Sequence, residues 1–116
     1  MLIFLLLMSF HISAQTAKTA LTTTRILFLL DGSASMSNSF GDETRMDAAK
    51  KILGEIVDSL KTNPDIDIAL RVYGHQYASV LNDCSDTKLE VPFGKVNLPY
   101  LKSILSKIQP NGITPI

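Results

Sequence analysis

Arg25 to Leu30 is an almost unbroken apolar run, and a run that short suits a strand buried on both faces. Gly32 to Asp42 is polar, rich in Ser, Gly and Asn, and reads as a loop. A helical period follows from Thr44 to Lys61. Met46, Ala49, Leu53, Ile56, Val57 and Leu60 share one face, while Lys50, Lys51, Glu55 and Asp58 point away from it. Thr44 with Asp47 three residues on resembles a capping box with Asp in place of Glu, and Asn63-Pro64 ends the helix. Ile66, Ile68, Leu70 and Val72 then alternate with Asp67, Ala69 and Arg71, a strand pattern running to Tyr73-Gly74.

Gln76 to Gly94 is less regular. Lys88 to Phe93 predicts a short strand, with Pro92 assigning it to a sheet edge. Leu98, Leu101, Ile104, Leu105 and Ile108 mark a second amphipathic helix, closed by Pro110 and the Asn111-Gly112 turn. This alternation predicts an α/β fold: a doubly wound, mostly parallel sheet with helices on both faces. Three strands and two helices cannot cover both faces of such a sheet. The expectation is therefore the N-terminal portion of a larger domain, spanning residues 25–116.

Residues 1–12 are almost wholly apolar and no charged side chain precedes Lys18. The run is shorter than the roughly 20 residues a membrane-spanning helix needs. It fits a secretory signal over residues 1–14, cut after Ser13-Ala14, with residues 15–24 as a Thr-rich lead-in. An uncleaved anchor or a buried first strand is the alternative. Export leaves three destinations: periplasm, cell surface or medium.

Composition narrows the function classes. Of the 116 residues 46% are hydrophobic and 19% charged, which excludes a disordered chain. Eleven basic residues balance eleven acidic ones with no basic cluster, which argues against nucleic acid. The tyrosines at 73, 77 and 100 are too scattered for a base-stacking platform. Cys84 is alone, so in an exported chain it either pairs beyond residue 116 or is a small buried hydrophobe.

The candidate chemistry sits where the first strand ends. Asp31-Gly32-Ser33-Ala34-Ser35-Met36 is a D-x-S-x-S run. In open α/β sheets, ligands bind beyond the carboxyl ends of the strands. One carboxylate and two hydroxyls there suit a hard cation, Mg²⁺ by preference, with Mn²⁺ or Ca²⁺ as alternatives. Asp42 and Glu43 are better placed to offset the dipole of the first helix than to add ligands. Ser33, His75 and Asp31 lack the G-x-S-x-G elbow of a hydrolase, so no catalytic residue is assigned.

The Asp31–Met36 run after an apolar strand resembles the metal-ion-dependent adhesion site of von Willebrand factor type A domains. Arg45-Met46-Asp47-Ala48-Ala49-Lys50-Lys51 resembles the first helix of the bacterial members, and Arg71-Val72-Tyr73-Gly74-His75 their second strand. Asn111-Gly112-Ile113-Thr114-Pro115-Ile116 resembles the loop carrying the family's metal-binding threonine. The resemblance implies a Rossmann-like fold and an ion held by Asp31, Ser33, Ser35 and Thr114, directly or through water. It also implies a further aspartate from a loop after residue 116. The expected activity is not enzymatic: an exported domain binds a protein partner by letting its Asp or Glu carboxylate complete the ion's shell. Any membrane association would come from a segment further downstream. The alternatives are a module serving an appended catalytic domain or metal-assisted hydrolase, and a surface protein whose ion only stiffens loops.

Overall fold

The computed structural model describes residues 22–114. Seven regular elements follow in order: β1 (Thr24–Asp31), β2 (Ser39–Phe40), β3 (Glu43–Thr44), α1 (Arg45–Leu60), β4 (Ile66–Tyr73), β5 (Thr87–Lys95) and α2 (Leu98–Leu105). The main sheet has the order β1–β4–β5, so β4 is central. β1 pairs with β4 in parallel, in unbroken register from Thr24–Ile66 to Asp31–Tyr73. β2 and β3 form a small hairpin turned by Gly41, whose φ is +63°.

β5 runs antiparallel to β4. Here the structure departs from the mostly parallel sheet that the alternation predicts. A parallel return needs a long crossover, usually a helix; the segment from Gly74 to Asp86 contains only a short 3₁₀ turn at Ser79–Leu81. β5 does lie at the sheet edge, as Pro92 requires. Between Ile68 and Leu70 of β4 the partner strand runs from Gly94 to Val91, one residue more, and Pro92 lies in that bulge. A residue without an N–H costs no ladder bond there.

α1 occupies the predicted span with Thr44 as its N-cap. Thr44 Oγ1 accepts the Asp47 N–H at 3.0 Å and donates its own proton to Asp47 Oδ2 at 2.7 Å. Aspartate is one methylene shorter than glutamate, so it closes on the hydroxyl of Thr44. Met46, Leu53 and Val57 of α1 are buried with Leu101, Leu105 and Ile108 from α2 and the turn after it. Leu30, Ile68, Leu70, Val72 and Val91 of the sheet complete this single core. Ile56 is exposed, contrary to its place in the helical period. Lys50 is the reverse case: half-buried, it donates from Nζ to the Ile108 carbonyl at 2.7 Å and ties α1 to the end of α2. Burial holds its pKa below the usual lysine value, partly offset by Asp47.

Both helices pack on the sheet face that carries Ile26, Phe28 and Leu30. On the other face Leu27, Leu29, Leu89 and Phe93 are exposed, with the Arg25 guanidinium 5.5 Å from the Phe93 ring centroid. Among the described residues, then, β1 is covered on one face only, and the expected doubly wound sheet with helices on both faces is a mixed three-stranded sheet under one helical layer. The two helices pack against each other and cannot also shield the far side. The expected signal segment, residues 1–14, and most of the lead-in lie outside the described residues. β1 itself begins one residue inside that lead-in, at Thr24.

The core and the cap make separable contributions. Leu70→Ala, at a position with no exposed surface, should cost about 3 kcal/mol in urea denaturation. Thr44→Ala should cost only about 1 kcal/mol.

Candidate metal centre

β1 and β4 end together, at Asp31 and Tyr73, and the chain turns at once. Gly32 N–H donates to the Tyr73 carbonyl at 2.7 Å, fixing the first residue after β1. Ser33 N–H donates to Asp31 Oδ1 at 2.7 Å, a local turn bond typical of aspartate that leaves Oδ2 outside it. The buried Ser33 and exposed Ser35 then bring their hydroxyl oxygens to 3.1 Å of each other. A short 3₁₀ turn at Ala34–Ser37 holds this spacing through the Met36 N–H bond to the Ser33 carbonyl, 2.9 Å.

A second loop is laid against this one. Ser33 and Gly112 form an isolated parallel bridge, with Ala34 N–H to Gly112 O at 2.8 Å and Asn111 N–H to Gly32 O at 3.0 Å. Gly112 N–H in turn donates to Gly74 O at 2.8 Å. Only glycine fits at three of these points, and at Gly32 a Cβ would lie 2.6 Å from the His75 Cβ. Gly74 has φ +68°, and a Cβ there would run into the Ile113 carbonyl; a Cβ on Gly112 would lie 2.8 Å from the Tyr77 carbonyl. Thr114 follows the bridge by two residues and is exposed. The structure thus gathers Asp31, Ser33 and Ser35, and lays the loop bearing Thr114 alongside. No hydrogen bond among the described residues joins the Thr114 hydroxyl to the other three.

The donor set fits a hard cation. Adjacent oxygens in an Mg²⁺ octahedron with bonds of about 2.0–2.1 Å stand about 2.9 Å apart, close to the spacing of the two serine hydroxyls. Among the described residues no group of three or more His, Cys, Asp and Glu could hold a metal. The donors that the described residues gather here are one carboxylate and two hydroxyls, with no nitrogen or sulfur among them. Asp42 and Glu43 are exposed in the hairpin that leads to the α1 N-cap. Tyr73, the register partner of Asp31, has its phenol pKa held above the usual value by burial and by the Asp31 carboxylate.

Two polar groups near this centre had no periodic signal in the sequence. Asp86 is 1% exposed; its carboxylate accepts the N–H groups of Gln76 (2.9 Å) and Tyr77 (3.1 Å) and the Gln76 side-chain amide (3.1 Å). Its carbonyl accepts the Gly74 N–H at 2.9 Å. A lone Asp just before a strand was the only hint available. The His75 side chain, 8% exposed, meets Glu90 Oε1 through Nε2 at 2.7 Å, and Lys88 Nζ reaches the same oxygen at 3.0 Å. His75 is thus paired to β5 and not to Ser33. Burial raises the Glu90 pKa, but the bonds from His75 and Lys88 outweigh it and the net shift is downward. Cys84 is exposed, which overturns its reading as a buried hydrophobe.

Comparison with known proteins bears on the fold. The von Willebrand factor type A domain model matches residues 26–115. The chain belongs to that family. It is 32% identical over 97 residues to the uncharacterized protein YwmD of Bacillus subtilis (strain 168), covering 80% of this chain and 42% of that protein. The chain thus spans about two fifths of the length of this relative. The PilB minor pilin from Streptococcus sanguinis has the same fold, with a TM-score of 0.65 at 18% identity over 83% of this chain and 24% of its own. The conserved hypothetical protein BatB from Bacteroides thetaiotaomicron gives 0.57 at 20% identity, covering 76% and 38%.

Two titrations check these electrostatics. Asp31→Asn should bring the Tyr73 phenol back toward its ordinary range, read as an earlier alkaline rise in tyrosinate absorbance against a Tyr73→Phe control. The depressed Glu90 pKa stabilises the fold above the unfolded glutamate value of about pH 4.3 and is lost as pH falls through the folded value. Glu90→Gln should therefore flatten the acid side of the stability–pH profile while lowering stability at neutral pH.

Proposed function

We propose that this is an exported, bacterial, non-enzymatic binding domain that holds Mg²⁺ through Asp31, Ser33 and Ser35, with Thr114 added from its neighbouring loop. Mn²⁺ and Ca²⁺ are the other ions of matching hardness. The bound ion supplies an electrophilic centre for a carboxylate from a protein partner. The observation that carries this reading is the pair of serine hydroxyls, 3.1 Å apart beside a single carboxylate at the end of β1. Asp31 alone leaves about one unit of positive charge on a divalent ion, and even with the further aspartate that the resemblance implies the site stops short of three carboxylates. An incoming Asp or Glu then makes a charge-assisted contact that a cage of three carboxylates would make redundant.

The residues of this chain have distinct parts in that scheme. Asp31 sets the net charge and is oriented by the Ser33 N–H. Ser33 and Ser35 offer neutral oxygens that keep the ion acidic. The Gly112 bridge brings the Thr114 loop against Ser33, so a partner that pulls on Thr114 also strains that bridge. The apolar segment before residue 14 supports export. A second reading, a module serving an appended catalytic domain, is favoured by one observation: the chain spans only 42% of its Bacillus relative.

Calorimetric titration of the full-length protein with Mg²⁺ tests the proposal. Binding is expected with a dissociation constant on the order of 0.1–1 mM, the range of low-charge extracellular cation sites. Asp31→Ala should abolish the heat while the circular dichroism spectrum stays native. A native protein that takes up neither Mg²⁺, Mn²⁺ nor Ca²⁺ would overturn the reading.

A further inference from the structure

We infer that His75 is a positioning residue for the candidate metal centre. Held by Glu90 of β5, its side chain fixes the Gly32 turn between Asp31 and Ser33, and cation affinity is thereby coupled to the edge strand. The inference rests on the metal-dependent reading above and adds to it a route by which β5 regulates the site.

Contact with the turn is direct. A Cβ placed on Gly32 would meet the His75 Cβ, the Tyr73 carbonyl at 2.9 Å and Val72 Cγ1 at 3.2 Å, so the end of β4 walls that side of Gly32. Gly74, with φ +68°, makes the bend between His75 and Tyr73, whose carbonyl takes the Gly32 N–H. The Gly32 carbonyl in turn accepts the Asn111 N–H at 3.0 Å. A displaced Gly32 therefore carries Asp31 and Ser33 with it, and pulls on the loop that bears Thr114. Binding constellations hold their function only within about 0.5 Å of the productive geometry.

What fixes His75 lies on the other strand. Its side chain is 8% exposed, and Nε2 donates to Glu90 Oε1 at 2.7 Å. Glu90, itself 14% exposed, is braced by Lys88 Nζ at 3.0 Å from Oε1 and 3.1 Å from Oε2. An ionised carboxylate can only accept, which makes Nε2 the protonated nitrogen. Among the described residues the buried Nδ1 has no hydrogen-bond partner. The ring is thus oriented through one nitrogen, and that bond ends on β5.

Calorimetric titration of the full-length His75→Gln, His75→Asn and Glu90→Ala variants with Mg²⁺ tests this, with circular dichroism as the check on folding. The glutamine amide falls near the place of Nε2 and still reaches Glu90; the asparagine amide falls near Nδ1 and does not. His75→Gln should keep wild-type affinity, while His75→Asn and Glu90→Ala should bind about tenfold more weakly. Mg²⁺ should also shift the imidazole resonances of wild-type His75, assigned against His75→Gln, because coupling between two sites is reciprocal. Unchanged affinity in His75→Asn and Glu90→Ala, whatever their melting temperatures, would overturn the inference and leave the metal reading standing, the pair being then a fastener of β5 alone. Equal weakening in the glutamine and asparagine variants would overturn it too, since the bond to Glu90 would not be what matters. If the weakened variants lose the native spectrum, the wild-type resonance decides, and its failure to move on adding Mg²⁺ would sink the proposal. Uptake of no cation by the wild-type protein itself would instead bring down the metal reading, and this inference with it.

Discussion

Three stretches of backbone meet at the carboxyl end of the β1–β4 pair, and the candidate site depends on how closely they approach. Gly32, Gly74 and Gly112 are joined by main-chain bonds of 2.7–3.0 Å to one another and to Tyr73 and Asn111. Approach at that distance leaves no room for side chains at the crossing points, which is why glycine stands at each. The bonds that join the three stretches are main chain to main chain, so the side chains of Asp31, Ser33 and Ser35 take no part in joining them. Ligand oxygens can therefore gather without having to hold the loops together.

Buried polar groups complete the scaffold. An aspartate as deep as Asp86 would be costly if its oxygens lacked donors, and it has two backbone N–H groups and an amide to satisfy them. His75, Glu90 and Lys88 form the corresponding tie between the end of β4 and the edge strand. Both devices sit where the polypeptide leaves regular hydrogen bonding. Asp86 satisfies backbone N–H groups of the β4–β5 connection, whereas the His75–Glu90–Lys88 contacts join side chains only.

The chemical character of the centre follows from what it lacks in charge as much as from what it contains. Hydroxyl oxygens coordinate hard cations without neutralising them. In the proposed function, a carboxylate beside two of them would make a weak but reactive ion site, suited to reversible capture of an external anion. The same arrangement explains why the Asp31 charge is felt locally, at the Tyr73 phenol paired with it across the strands.

Local pattern was enough to determine much of this protein. The apolar run of residues 25–30, the helical period from Met46 to Leu60 and the alternation from Ile66 to Val72 located β1, α1 and β4, because each period is a direct image of one buried face. The D-x-S-x-S spacing likewise put three candidate oxygen donors within one turn of chain. Tertiary structure alone decided the antiparallel course of β5, since direction depends on the connection and not on the pattern of the strand. It also decided the exposure of Ile56, Leu27 and Leu29, because a period shows which residues share a face but not whether anything lies against it. The roles of Asp86, His75 and Glu90 were hidden for a related reason: their partners lie 9 to 15 residues away, and only folding brings those donors and acceptors together.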